Sequence, residues 1–224
     1  MSGPVLILDT GSPLASVAVA RGGEVVSARA VGTERSSTRL LDMIREVLEE
    51  AGVEMTGLGG IAVLRGPGSF TGVRIGLATV LGFHQALGVP VATPTSFEAL
   101  AAAAPEDAGI IIAAVDALRG EWSAQAFGLS APGEPELVAG VDLPRLAEGQ
   151  PGVVIGFGVS RLADFPGWPA NLRLVEPGPL ASAAARLVAA PETVWDSALL
   201  THPLYARPAA FTPARPRTAV TQGA

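Results

Sequence analysis

The sequence lacks cysteine and lysine altogether and has only two histidines among its 224 residues. Without cysteine there is no thiol nucleophile and no thiolate metal ligand. Without lysine there is no Schiff-base chemistry and no P-loop, whose consensus requires Gly-Lys-Ser/Thr. His84 and His202 are far apart in sequence, whereas metal ligands usually cluster. We therefore expect no metal site, and we assign no catalytic residue.

The sequence also lacks a clean apolar run and a surplus of positive charge. Its longest apolar segment, residues 70–87, is interrupted by Arg74, His84 and Gln85, whereas a membrane span needs about 20 apolar residues. No basic stretch followed by an apolar one opens the chain, so we expect a cytoplasmic protein without membrane contact. The net charge of −6 disfavours direct nucleic-acid binding, which depends on neutralising phosphates.

The pattern of strands and helices repeats once along the chain. An apolar run ending at Asp9, a hairpin across Gly22-Gly23 and an amphipathic helix at 38–51 begin the order βββαβαβα. The second half opens in the same way, with Asp116 at the position that corresponds to Asp9, and then degenerates into segments broken by glycine and proline. We predict an α/β fold of two such halves, the duplicated arrangement of actin- and hexokinase-like (ribonuclease H-like) proteins.

The predicted limits of these units follow from the repeat. The N-terminal half covers residues 1–105 and the degenerate C-terminal half covers residues 106–206. Residues 207–224 are rich in proline and arginine, which predicts a mobile tail. The tail either keeps the chain soluble or contacts RNA or a partner.

The stretch "RGPGSFTGVRIGL" at residues 65–77 resembles a phosphate-binding loop, because a glycine-rich turn joins a strand to a helix. The alternative is a tight turn that starts a helix. Asp9 is open to two interpretations as well, since it occupies the phosphate-loop position of the fold or caps the turn that follows it. The residues of this possible nucleotide or anion loop are Asp9, Thr10, Gly11, Ser12, Gly68, Ser69 and Thr71.

The helix predicted at 70–87 has apolar residues on all sides and three interior glycines, each costing about 1 kcal/mol relative to alanine. A helix that is apolar all round must be buried all round. We predict that it and the 38–51 helix form a docking face for a partner; the alternative is an ordinary core helix. The predicted interface residues are Leu40, Leu41, Ile44, Leu48, Gly72, Arg74, Gly76, Leu77 and Leu81.

Four segments together resemble a known family: "LILDTGSPLASVAV", "RGPGSFTGVRIGL", "VATPTSFEAL" and "VDALRGEWSAQAF". In this order they are similar to the bacterial TsaB (YeaZ) family of the glycoprotease-like superfamily. The similarity is good over residues 4–130, and "HPLYARP" at 202–208 resembles the family's terminal stretch. The resemblance implies an actin-like duplicated fold and a role in making threonylcarbamoyladenosine in tRNA.

The resemblance further implies a non-catalytic subunit. It would pair with a catalytic TsaD-like paralogue and a TsaE-like ATPase, which transfer a threonylcarbamoyl group to the adenosine beside the anticodon. It would self-associate as a homodimer through the same helices and contact tRNA only through the complex. It would need no cofactor of its own, with ATP or ADP possible at the complex interface. The alternatives are a self-standing actin-like ATPase or kinase that uses Asp9 or Asp116, and a peptidase, against which the missing catalytic side chains argue.

Overall fold

The computed structural model describes residues 3–32, 36–129 and 132–207. Within them the chain forms two five-stranded sheets with the same strand order. Counted along its own half of the chain, each sheet has the order third, second, first, fourth, fifth. In each sheet the first three strands are antiparallel and the last two run parallel to the first. The duplicated α/β fold predicted from the sequence is confirmed.

The N-terminal half follows the predicted βββαβαβα order. Its strands and α-helices are β1 Val5–Asp9, β2 Leu14–Arg21, β3 Glu24–Gly32, α1 Ser36–Glu50, β4 Gly60–Val63, α2 Phe70–Leu87, β5 Val91–Ala92 and α3 Ser96–Ala102. The β2–β3 hairpin turns at Gly22 and Gly23, whose φ angles of 58° and 88° favour glycine. Helix α2 begins after Ser69, whose hydroxyl accepts a hydrogen bond from Gly72 N.

The C-terminal half keeps the strands but has lost most of the helices. Two 3₁₀ helices, Gly140–Ala147 and Val159–Asp164, stand where the first half has α1 and α2. Pro144 lies inside the first of them, and proline cannot continue an α-helix hydrogen-bond ladder. The other elements are β6 Ile110–Asp116, β7 Glu121–Phe127, β8 Glu136–Ala139, β9 Gly152–Ile155, β10 Leu172–Val175 and α4 Leu180–Ala189.

Three apolar clusters define the layers of the molecule. Helices α1 and α2 cover one face of the first sheet, and the 3₁₀ helices cover the outer face of the second. Helices α3 and α4 fill the layer between the sheets, where Phe97, Leu100 and Leu180 are almost completely buried. This shared layer makes the halves one packed unit. The domain limits at residues 105 and 206 stay a prediction.

The segment after the last 3₁₀ helix, Ser197–Thr201, runs back across the first half. Leu204 N donates to Arg65 O at 2.7 Å, and the Arg207 side chain donates to the carbonyls of Ala117 and Leu118 at 2.8 and 3.0 Å. Arg207 also pairs with Glu121. The prediction of a mobile tail was therefore wrong at Arg207, because these bonds hold its side chain. Residues 208–224 lie outside the part of the chain that the structure describes.

Candidate functional site

The glycine-rich loop meets the turn that follows β1. Ser69 N donates to Gly11 O at 2.7 Å, and Thr10 Oγ1 donates to Gly72 O at 2.7 Å. The predicted loop residues of the two segments are therefore neighbours, although Thr71 lies exposed on the first turn of α2. Because the amide of Ser69 is bonded to Gly11 O and that of Gly72 to the Ser69 hydroxyl, neither is free to bind a phosphate.

The glycines of the loop and of α2 are explained by this contact. A Cβ atom on Gly68 would come within 3.0 Å of Gly11, and one on Gly72 or Gly76 within 3.0 Å of Thr10. Only glycine lets α2 approach the turn this closely. The prediction that Gly72 and Gly76 face a partner was wrong, because their neighbour is the chain's own β1–β2 turn.

Asp9 closes that turn from inside the protein. Its Oδ1 accepts hydrogen bonds from Gly11 N at 3.0 Å and Ser12 N at 3.2 Å, and its Oδ2 accepts one from Ser12 Oγ. Burial raises the pKa of the Asp9 carboxyl, and these hydrogen bonds oppose the increase. Of the two interpretations left open by the sequence, the turn cap is the one the geometry shows.

A cavity of about 260 Å³ lies between this turn and the second half of the molecule. Gly11, Pro67 and Gly68 line one side, and Asp116 and Leu118 line the other. Asp116 is the counterpart of Asp9 in the second sheet, but its Oδ2 binds Arg161 at 2.7 Å and its Oδ1 accepts Leu118 N at 2.7 Å. Both carboxylates that could serve a kinase are thus engaged in holding their own turns.

Ser96 is a cavity residue whose importance the sequence did not reveal. Ser96 is the first residue of α3, and Thr95 before it is the N-cap and forms a capping box with Glu98. Ser96 is 3% exposed and lines the cavity. Among the described residues, its Oγ atom has no hydrogen-bond partner. A Thr-Ser pair before a helix was the only available signal, and either residue could have been the cap.

Most of the predicted partner interface is buried by the chain itself. Leu40, Ile44, Leu48 and Leu77 are all less than 9% exposed and belong to the core beneath α1 and α2. Their assignment to an interface was wrong, because the apolar stripe of each helix faces the sheet. Leu41 is 65% exposed, Arg74 is exposed and Leu81 is partly buried.

Helix α2 has a solvent face, contrary to the expectation that it is apolar all round. That face carries small and polar residues at helical spacing: Thr71, Arg74, Ala78, Gly82 and Gln85. Around Gly82 the space for a Cβ atom is open. Next to Arg74, Phe70 is 50% exposed and stacks on Tyr205 with 4.9 Å between ring centroids. No role was predicted for Tyr205 from the sequence, although the stretch "HPLYARP" that contains it had been singled out.

Comparison with known proteins finds relatives among the TsaB and TsaD proteins. A family model described as TsaD, tRNA N6-adenosine threonylcarbamoyltransferase, matches residues 29–130. The tRNA threonylcarbamoyladenosine biosynthesis protein TsaB of Haemophilus influenzae is 35% identical over 119 residues, covering 52% of this chain and 50% of that protein. YeaZ from Pseudomonas aeruginosa superposes with a TM-score of 0.68 at 27% identity, covering 84% of this chain and 90% of that one. The chain belongs to the TsaB/YeaZ family of the glycoprotease-like superfamily.

A second solved structure extends the match to nearly the whole TsaB/YeaZ fold. It is a Pseudomonas aeruginosa protein described as similar to the peptidase YeaZ, with a TM-score of 0.73 and 27% identity, covering 92% of this chain and 100% of that one. In sequence, the matched part spans about half the length of the curated TsaB relatives. Within the described ranges of this TsaB/YeaZ-family chain there is no group of three metal-ligating side chains, and no helix has the length and apolarity to cross a membrane.

Proposed function

We propose that this chain takes part in tRNA threonylcarbamoyladenosine biosynthesis as a non-catalytic subunit. The observation that carries the proposal is the match of the fold and of residues 29–130 to the TsaB and TsaD proteins. The aspartates at the cleft support a non-catalytic role. Asp9 accepts three hydrogen bonds from its own turn, and Asp116 is paired with Arg161, so neither is free as a general base.

The partner in this proposal is a catalytic paralogue of the TsaD type, with a TsaE-type ATPase in the same complex. It docks on what we call the outer surface of α1 and α2, defined by Leu41, Phe70, Arg74, Ala78 and Gly82. Leu41 and Phe70 are among the large apolar side chains that the described part of the chain exposes. Exposed apolar side chains beside small residues suit helix packing, since the open space at Gly82 lets a partner's backbone approach.

In the absence of the paralogue, a second copy of the chain occupies the same surface. This gives a homodimer that competes with the complex, because one surface cannot hold both partners. The chain contributes no cofactor of its own; ATP or ADP binds at the interface within the complex, and tRNA is reached through the other subunits.

The test is reconstitution of tRNA modification from purified TsaD-type and TsaE-type proteins, with and without this chain. Leu41→Glu puts a charge on the proposed surface and should abolish capture of the paralogue and strongly reduce modification, since burying an unpaired charge is costly. The matched control is Val141→Glu in the second half, where the side chain is similarly exposed at 58%. It should behave like the unchanged protein.

Different results would reject different parts of the proposal. Full modification without the chain would reject the role in the pathway. Modification that needs the chain but tolerates Leu41→Glu, with normal capture of the paralogue, would reject the surface alone. ATP turnover by the purified chain, lost in Asp9→Asn, would favour the actin-like kinase alternative instead.

A further inference from the structure

The cavity between the two halves has the size and lining of a small binding site. Its volume of about 260 Å³ lies just below the range of drug-sized pockets, which begins at roughly 300 Å³. A molecule about the size of one aromatic ring therefore fits this cavity. Apolar side chains from both halves make most of the wall, among them Pro13, Pro67, Leu100, Val115, Phe157 and Leu180.

One polar group in this wall, the hydroxyl of Ser96, makes no hydrogen bond to the described residues. Ser96 is 3% exposed, and its amide donates to Gly66 O at 2.7 Å. Its Oγ atom has no partner among the described residues. A buried hydroxyl without a hydrogen bond lowers the stability of the folded state. The capping of α3 is complete without it, because Thr95 and Glu98 bond each other. The hydroxyl is therefore available to a molecule in the cavity.

The charge around the cavity argues against an anionic occupant. Among the described residues that line it, none carries a positive charge. The one charged side chain there is the Asp116 carboxylate, which repels anions, and its partner Arg161 is already bound to it at 2.7 Å. On the other side, Ser69 N is taken by Gly11 O. A phosphate or carboxylate would lose its hydration here without gaining a cation.

The rim of the cavity is formed by a strained turn. Leu118 lines the cavity, is 70% exposed and has a φ of 66°, and Arg119 follows with a φ of 58°. Leucine and arginine rarely adopt this left-handed conformation, and such strain often occurs beside binding sites. Arg207 holds the turn through Ala117 O and Leu118 O, so the rim is anchored.

We propose that this cavity binds a small, uncharged, ring-sized molecule whose single hydrogen-bonding group is held by the hydroxyl of Ser96. The wall supplies apolar contact from both halves, and Ser96 fixes the orientation. The proposal is independent of docking on α1 and α2, since none of the cavity residues belongs to that surface.

The experiment titrates the full chain with phenol, toluene, benzoate and inorganic phosphate and follows the methyl NMR signals of Leu100 and Leu180. Phenol and toluene should shift these signals, whereas benzoate and phosphate should not. The ratio of phenol to toluene affinity isolates the hydrogen bond, because both rings fill the same space. Ser96→Ala should lower that ratio about fivefold, the equivalent of one hydrogen bond. Ser182→Ala, a serine of α4 outside the cavity lining, should leave it unchanged.

A second measurement separates binding from structure. Since the Ser96 hydroxyl has no partner to lose, Ser96→Ala should keep or raise the melting temperature. The proposal is overturned if the variant melts lower, if the affinity ratio is the same in both proteins, or if benzoate or phosphate binds more tightly than phenol. It is also overturned if no probe shifts the two methyl signals, which would mean that the cavity holds only water.

Discussion

Replacing single glycines of α2 tests whether this helix is fitted to its own turn or left open for a partner. At Gly72 a methyl group would lie within 3.0 Å of Thr10 O, a backbone atom that cannot rotate away. At Gly82 a methyl group meets no atom within 4 Å. Gly72→Ala and Gly82→Ala are therefore the same chemical change in the same helix, made in closed and open surroundings.

The expected magnitudes have opposite signs. Overpacking at Gly72 costs about 1–3 kcal/mol, and forcing α2 away from the turn also loses the 2.7 Å bond from Thr10 Oγ1 to Gly72 O, about 1 kcal/mol. Better helix propensity returns about 1 kcal/mol. We expect Gly72→Ala to lower the free energy of unfolding by about 1–3 kcal/mol, whereas Gly82→Ala should raise it by up to about 1 kcal/mol.

Urea unfolding followed by circular dichroism measures both variants under one condition, and equal m-values would show that the transitions are comparable. Equal stability of the two variants, or a more stable Gly72→Ala, would refute the assignment of this glycine to the close contact with Thr10. A destabilised Gly82→Ala would show that the outer face of α2 is covered after all.

Three further predictions concern the turns and caps around the cavity. Burial raises the pKa of the Asp9 carboxyl in the folded state, so the free energy of unfolding should fall as pH rises from the unfolded-state pKa through the folded-state pKa. Asp9→Asn should flatten this decrease in urea unfolding measured from acidic to neutral pH. An unchanged dependence of the free energy of unfolding on pH would contradict the prediction. Arg207→Ala should speed amide exchange at Leu118, and unaltered exchange there would show that Arg207 does not hold the turn. Thr95→Ala should lower the free energy of unfolding by about 1 kcal/mol by removing the cap to Glu98; calorimetry showing no loss would contradict the capping box.

The local elements could be predicted from the sequence because they depend on short-range spacing. The apolar segment that follows the glycine-rich turn predicted a helix at 70–87, and the helix spans these residues. The Gly22-Gly23 hairpin and the repeated strand order gave the duplicated fold for the same reason. The absence of lysine alone excluded a P-loop.

The direction in which each element faces could not be predicted in this way. Leu40 and Leu41 are adjacent and equally apolar, yet one is 4% and the other 65% exposed. The spacing of Gly72 and Gly76 indicates a close neighbour but not which one, and the neighbour is Thr10, far away in sequence. An apolar pattern indicates that a surface is buried, whereas the tertiary fold determines which group buries it.

The sequence by itself determined the order of the elements, the turns between them and the absence of a P-loop consensus. Only the tertiary structure decided that Tyr205 stacks on Phe70 and bonds Arg74 across 131 residues, and that Ser96 is buried in the cavity wall without a partner in the described part of the chain. The reason is that periodicity and capping act over a few residues, whereas burial and pairing depend on segments that meet only after folding.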